Sequence, residues 1–320
     1  LDLPAWPQFP RRTFRESMYV QYSARLPAIV EDAQKEKVYF DTRGDITPAL
    51  EAFYTLFLAD DVDAFALQPE YAAGFFAMLE ALEEHPGEWA KGQVTGPISF
   101  GLTVTDQDLR ASLYNDMLAD AIVKNAAMNA RWQVRRLKER RPNVVIFIDE
   151  PYLASFGSAF ISLSREQVID YLNEVFAAIH SEGALAGVHC CANTDWGLLL
   201  ATQVDILNLD AYGYLENLAL YPAELRAFLD RGGVLCWGIV PNNAEIFEVT
   251  PDELATRLRS GIQDLCAKAA ARGVEIAPEE FNARSLISPA CGMGSATPEI
   301  AEAVFATLQQ TGALLADTGR

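Results

Sequence analysis

The stretch Asn143-Val-Val-Ile-Phe-Ile-Asp-Glu-Pro151 joins five consecutive apolar residues to two carboxylates and a proline. A short, uninterrupted apolar run rich in β-branched residues is typical of a strand that is buried on both faces of a parallel sheet. Similar runs recur along the chain and are separated by amphipathic stretches of helical period. The other predicted strands are Lys37–Thr42, Gln93–Phe100, Ala184–Cys191, Val204–Asp210, Gly233–Val240 and Arg284–Gly292.

Helix start signals lie between several of these strands. Ser164-Arg-Glu-Gln167 and Thr250-Pro-Asp-Glu253 have the capping-box pattern, in which the first and fourth residues bond each other's backbone N–H groups. Thr297-Pro298 places proline at a first helical position. A longer helical pattern runs from about Asp106 to Arg140, and we expect a break within it.

The alternation of strands and helices predicts an α/β fold with a parallel sheet and right-handed crossovers. An open doubly wound sheet would be expected to carry a glycine-rich turn of the form G-x-G-x-x-G, and the chain has none. We therefore predict a TIM (β/α)8 barrel, with residues 1–320 as a single domain. Because seven strands are one short of closure, we expect the first strand to lie before Leu1.

Composition narrows the classes of function. The chain has 25 Lys and Arg against 44 Asp and Glu, a formal net charge of −19, which argues against a nucleic-acid partner. No apolar run reaches the roughly 18 residues of a membrane span. We also expect no signal peptide, because the first residues show no charged segment followed by an apolar one. The five cysteines show no disulfide-framework spacing. We therefore expect a protein of the reducing cytoplasm, whose cysteines serve chemistry or packing.

Imidazole and thiol groups stand at the ends of predicted strands, where parallel barrels collect their functional residues. His189 and Cys191 alternate along one strand, so their side chains point to the same side. Cys291 ends a later strand. Two thiolates and one imidazole would give zinc a tetrahedral site with one open position. The spacing alone leaves ordinary packed core thiols as the alternative.

Carboxylates end two further strands. Asp149 could accept charge-assisted hydrogen bonds from a substrate ammonium group, and Glu150 should point the opposite way. The alternative is that one of them pairs with a lysine at a capped strand end. Asp210 has three interpretations that the sequence leaves open: a fourth metal ligand, a hydrogen-bond partner of His189, or an aspartate that caps a loop.

Several motifs together resemble a known superfamily. They are Gln93-Val-Thr-Gly-Pro97, Ile148-Asp-Glu-Pro151, His189-Cys-Cys191-Ala-Asn193-Thr-Asp195 and Ser288-Pro-Ala-Cys291-Gly292. In this order they resemble the superfamily of uroporphyrinogen decarboxylase, the corrinoid:thiol methyltransferases and the catalytic half of cobalamin-independent methionine synthase. The resemblance covers the chain from about Lys37 onward and implies a TIM barrel.

The resemblance also implies roles for individual residues. By position, His189, Cys191 and Cys291 would be zinc ligands, a set that the decarboxylase lacks. Asp210 stands where methionine synthase has a glutamate ligand, and Asp149 stands where the synthase binds the amino group of homocysteine. We assign Asp149 as the catalytic residue that orients the acceptor, and we assign substrate binding to Asp149, Glu150 and Asn193, which belong to the same motifs.

The implied activity is zinc-dependent transfer of a methyl group to a small-molecule thiol. The expected acceptor is homocysteine, which would place the enzyme in methionine biosynthesis. The expected donor is a methylcorrinoid, either methylcobalamin or a corrinoid protein, because the chain has room for one barrel and not for the second barrel of full-length synthases. The alternatives are methylation of another thiol, a metal-free decarboxylase of the same fold, or a non-catalytic zinc protein that partners a corrinoid protein.

Overall fold

The computed structural model describes residues 2–159 and 161–316. Its strands are β1 (Ile29–Asp32), β2 (Lys37–Phe40), β3 (Trp89–Thr95), β4 (Asn143–Asp149), β5 (Leu185–Cys190), β6 (Ile206–Leu209), β7 (Val234–Val240) and β8 (Ser285–Pro289). Its α-helices are α1 (Thr47–Leu58), α2 (Ala73–Glu84), α3 (Pro97–Thr103), α4 (Asp116–Lys138), α5 (Arg165–Ser181), α6 (Trp196–Leu200), α7 (Ala211–Tyr214), α8 (Pro222–Asp230), α9 (Pro251–Ala270) and α10 (Pro298–Ala316).

The prediction of a closed eight-stranded barrel is wrong. Within the described residues the parallel sheet has six strands, and β3 to β8 follow one another in chain order. The predicted strand at Lys37–Thr42 is not one of them. It forms β2, which pairs antiparallel with β1 from Ile29 opposite Phe40 to Asp32 opposite Lys37. The strand expected before Leu1 lies outside the described residues.

Local geometry explains why β2 forms a hairpin. The turn between β1 and β2 is closed by a hydrogen bond from Lys35 N to Asp32 O, and Glu36 adopts a φ of 48°. Burial also increases along β2, from an exposed Lys37 to a buried Phe40. A strand buried on both faces would be apolar throughout. The partly polar run therefore fits a short surface ribbon better than the middle of a parallel sheet.

The helix starts predicted from the capping signals agree with the structure. Both capping boxes form, at Ser164 before α5 and at Thr250 before α9. The expected break in the long helical pattern lies before α4, because the Asn115 side chain accepts from the N–H groups of Met117 and Leu118 and so starts a new helix at Asp116. The predicted strand Gln93–Phe100 is corrected: β3 ends at Thr95, and α3 begins at Pro97.

The chain divides into two compact units. Unit 1 comprises Leu1–Tyr152 and Ser162–Gly187, and unit 2 comprises Leu153–Ile161 and Val188–Arg320. In unit 1, α4 packs on β3, β4 and α5. The segment before Thr13 adds to this unit, because Ala5 forms a parallel bridge with Lys91 of β3 and the Trp6 indole donates to Gln133 Oε1 at 3.1 Å. The sequence had not indicated that this segment is part of the core.

Unit 2 contains β6, β7 and β8 with the helices that follow them. The strands pair in parallel, from Ile206 opposite Val234 and from Leu235 opposite Ser285. The ring of Trp237 is buried and contacts the ring of Phe281 with centroids 5.8 Å apart. Helix α10 packs on α9 and β8. None of the helices that the structure describes combines the length and apolarity needed to cross a membrane.

Candidate metal centre

Three side chains with soft ligand atoms meet within unit 2. His189 lies in β5, and Cys191 directly follows that strand. Cys291 follows β8 by two residues, where Ala290 N donates to Val240 O at 2.8 Å. Because parallel strands end at the same edge of a sheet, residues far apart in sequence come together here. The ligand atoms of His189, Cys191 and Cys291 all lie within 4.8 Å of one another.

The cluster could hold a metal ion. Its three residues are half-buried, and the Nε2 atom of His189 is itself buried from solvent. The pKa of Cys191 lies well below its ordinary value. The largest cause is a hydrogen bond from Cys291, and the second is a hydrogen bond with His189. The thiolate is the form of cysteine that binds metals. The cluster thus favours the charge state that a metal ion requires.

Asn208 is a member of this site that the sequence analysis missed. Its Oδ1 lies 2.7 Å from His189 Nδ1. Its Nδ2 donates to Cys236 O at 2.8 Å and to Ser288 Oγ at 3.0 Å. A signal was present, because an amide inside the apolar run of β6 must find hydrogen-bond partners when it is buried. The sequence could not show that one of those partners is the imidazole of His189.

Asp210 caps a loop in this structure. Its Oδ1 accepts from Gly213 N at 2.8 Å, at the start of α7. Burial raises the pKa of Asp210, against the opposing effects of the hydrogen bond from Gly213 N and of the nearby His189. Its carboxylate is not among the atoms that form the three-residue cluster. The hydrogen bond to His189 Nδ1 belongs to Asn208. The role of Asp210 as a fourth ligand stays a prediction.

Asn193 organises the loop that follows Cys191. It is exposed, and its Oδ1 accepts from the Trp196 indole at 3.2 Å. Two residues later Asp195 caps α6 by accepting from Leu198 N at 3.0 Å. The motif from Cys191 to Asp195 therefore fixes the turn beside the cluster. The predicted contact of Asn193 with substrate stays a prediction.

Asp149 and Glu150 lie in unit 1 and have different environments. Asp149 ends β4 opposite Thr95 of β3 and is half-buried. Burial is the main cause of the raised pKa of Tyr22, and the negative charge of Asp149 is the second cause. Glu150 is 0% exposed. Alternation along a strand predicts that the two carboxylates point in opposite directions. Glu150 turns to α3, and the substrate-binding role of Asp149 stays a prediction.

Glu150 anchors the start of α3. Its Oε1 accepts from Ile98 N at 2.9 Å. Its Oε2 accepts from Ser99 N at 2.7 Å and Ser99 Oγ at 2.6 Å. A carboxylate satisfies N–H groups that have no partner in the first turn of a helix. The structure therefore gives Glu150 a role in holding α3. Its predicted contact with substrate has no observation in its favour.

We expect Glu150 to make the free energy of unfolding depend on pH. Burial raises the pKa of Glu150 to about 7, against the opposing effect of its three hydrogen bonds. Because the folded-state pKa is raised, the folded chain binds this proton more tightly than the unfolded chain. That stability is fully present below the unfolded pKa and is lost as pH rises through about 7. The loss is on the order of 3 kcal/mol.

The measurement is urea unfolding at several pH values for the wild type, Glu150→Gln and the control Glu84→Gln. Glu84 is exposed at the end of α2, so its variant should follow the wild-type pH profile. Glu150→Gln should be less stable at low pH, and the difference from wild type should shrink as pH rises. Parallel pH profiles for Glu150→Gln and wild type would contradict the expectation.

No protein-family model matches the chain. No curated protein matches its sequence. The function must therefore be argued from the residues of the cluster and their geometry.

Proposed function

We propose that the chain is a zinc-dependent enzyme that transfers a methyl group to a thiol, with homocysteine as the acceptor. One observation carries the proposal: His189, Cys191 and Cys291 bring an imidazole and two thiols within 4.8 Å of one another. Those three positions match the motifs by which the sequence resembles the zinc thiol methyltransferases. The same residues were the zinc ligands that the resemblance implied.

The donor set fits zinc. Sulfur and imidazole nitrogen are its preferred ligands, at about 2.3 Å and about 2.0–2.1 Å. Structural zinc sites are usually closed by four protein ligands, whereas catalytic sites keep a position for water or substrate. Among the described residues the cluster has three members, and each is half-buried. This arrangement supports a catalytic site over a structural one.

In the proposed reaction, separate residues bind the metal ion and the acceptor. When bound, zinc supplies the Lewis acidity that keeps a substrate thiol deprotonated near neutral pH. His189, Cys191 and Cys291 hold the ion. Their half-burial limits the access of bulk water to the ion. By the resemblance, Asp149 binds the amino group of the acceptor through charge-assisted hydrogen bonds.

The proposed methyl donor is a methylcorrinoid, free or carried by a corrinoid protein, as the sequence resemblance suggested. The test measures metal content and methyl transfer to homocysteine from methylcobalamin, with methyltetrahydrofolate in parallel. We expect stoichiometric zinc and methionine formation from methylcobalamin that stops after chelation and returns with added zinc. Transfer from the folate alone would exclude the corrinoid, and a metal-free protein would exclude the whole proposal.

A further inference from the structure

We propose that Asn208 is a positioning residue that keeps the proton of neutral His189 on Nδ1 and so makes Nε2 the metal-binding nitrogen. The part that concerns metal affinity rests on the proposed function. The part that concerns the proton rests on hydrogen bonds within unit 2 alone. Neutral imidazole carries one proton on either ring nitrogen, and only the other nitrogen can bind a metal.

The hydrogen bonds of Ser288 and Cys236 determine which atoms of the Asn208 amide donate and which accept. Ser288 Oγ donates its single hydrogen to Pro289 O at 2.9 Å, so toward Asn208 it can only accept. Cys236 O is a carbonyl oxygen and also can only accept, at 2.8 Å. Both hydrogens of the Asn208 amide are thereby used.

The amide orientation then determines the His189 tautomer. With Nδ2 turned to Cys236 O and Ser288 Oγ, the atom 2.7 Å from His189 Nδ1 is the amide oxygen. An amide oxygen cannot donate, so Nδ1 must carry the hydrogen. The flipped amide would set its oxygen against a carbonyl oxygen without a hydrogen between them. One orientation therefore satisfies every group.

The surroundings of Asn208 make this arrangement rigid. The network joins four strands, with His189 on β5, Asn208 on β6, Cys236 on β7 and Ser288 on β8. Asn208 is only 7% exposed, so water has little access to compete for its amide. The nearby Asp210 carboxylate is engaged with the start of α7.

Two consequences follow for metal binding. The hydrogen bond fixes the ring of His189 before the ion arrives, and it raises the basicity of the ligating nitrogen. Loss of such a supporting partner typically costs about 10- to 100-fold in metal affinity. We therefore expect Asn208→Leu, which has similar size but no polar group, to weaken zinc binding by about 10- to 100-fold.

The first experiment reads the proton directly by long-range ¹H–¹⁵N correlation NMR of the histidine rings. The chain has three histidines, so the signals are few and can be assigned with a His189→Gln variant. The wild type is measured with zinc and, without metal, at a pH where His189 is neutral. We expect Nδ1–H in both states. A proton on Nε2 in either state would overturn the proposal, whatever any variant does.

The second experiment measures zinc affinity by chelator competition for Asn208→Leu, Asn208→Asp and the matched control Ser288→Ala. Aspartate retains an acceptor for Nδ1–H, so Asn208→Asp should keep the tautomer and bind zinc more tightly than Asn208→Leu. Ser288→Ala removes one amide partner but leaves Cys236 O to orient Asn208, so the wild-type tautomer should persist. A folded Asn208→Leu with wild-type tautomer and affinity would overturn the proposal.

The design separates this inference from the proposed function. A wild type that binds no zinc would refute the proposed function, while the tautomer of the metal-free protein would still test the role of Asn208. Should Asn208→Leu fail to fold, the wild-type tautomer and the Asn208→Asp affinity remain decisive. A role for Asn208 in stability alone would lower the thermal stability of Asn208→Leu and leave His189 in the wild-type tautomer in that variant, which would overturn the proposal.

Discussion

Cys291→Ser is expected to weaken zinc binding by more than about 100-fold, which exceeds the effect of losing a supporting residue. Serine preserves the approximate size of the side chain but replaces a soft thiolate with a hydroxyl that stays protonated near neutral pH. The serine hydroxyl can still donate a hydrogen bond to Cys191, as the Cys291 thiol does, so the expected loss comes from the missing sulfur ligand.

The matched control is Cys266→Ala. Cys266 is buried in α9, and burial raises its pKa to about 11, so its thiol stays protonated near neutral pH. Zinc stoichiometry, chelator-competition affinity and thermal unfolding are measured for both variants and the wild type. The control should keep its zinc. A well-folded Cys291→Ser that retains one zinc per chain at wild-type affinity would remove Cys291 from the site and with it the proposed function.

The sequence predicted the cluster because the positions of its three residues follow from the regular geometry of β-strands and parallel sheets. Alternation along a strand puts His189 and Cys191 on the same side, and parallel strands end at a common edge, which brings Cys291 to them. These rules need no knowledge of neighbouring side chains. The apolar runs that became β4 to β8 were found for a similar reason, since strands buried on both faces have few polar positions.

What the sequence failed to predict depends on contacts between distant residues. The run at Lys37 looked like a sheet strand, but its partner is the preceding segment β1, so the parallel sheet has six strands in the described residues. Asn208 gave only the general signal of a buried amide. Glu150 was assigned to substrate because it follows Asp149 in a motif, whereas its carboxylate holds the start of α3.

Gly96 also shows a requirement that only the structure reveals. Its φ is −66° and its ψ is 151°, a conformation open to any residue, so backbone freedom does not explain the glycine. The constraint is space. A Cβ at this position would lie 2.1 Å from Glu150 Oε1 and 2.2 Å from Glu150 Cδ. The buried carboxylate approaches the start of α3 so closely that no side chain fits.

We therefore expect Gly96→Ala to lower the free energy of unfolding by about 3 kcal/mol or more, because overpacking is combined here with disrupted buried hydrogen bonds. To admit the methyl group, Glu150 must move away from Ile98 N and Ser99 N, which leaves helix N–H groups buried without partners. Chemical unfolding monitored by circular dichroism measures the change.

A double-mutant cycle tests this cause specifically. Gly44→Ala is the control, because a Cβ there meets nothing within 4 Å, and its stability should change little. Glu150→Ala should be destabilising alone, but in that background Gly96→Ala should cost much less, since the clashing carboxylate is gone. If the two changes instead add in full, the clash is not the cause. If Gly96→Ala is as stable as Gly44→Ala, the close approach of Glu150 to α3 is contradicted.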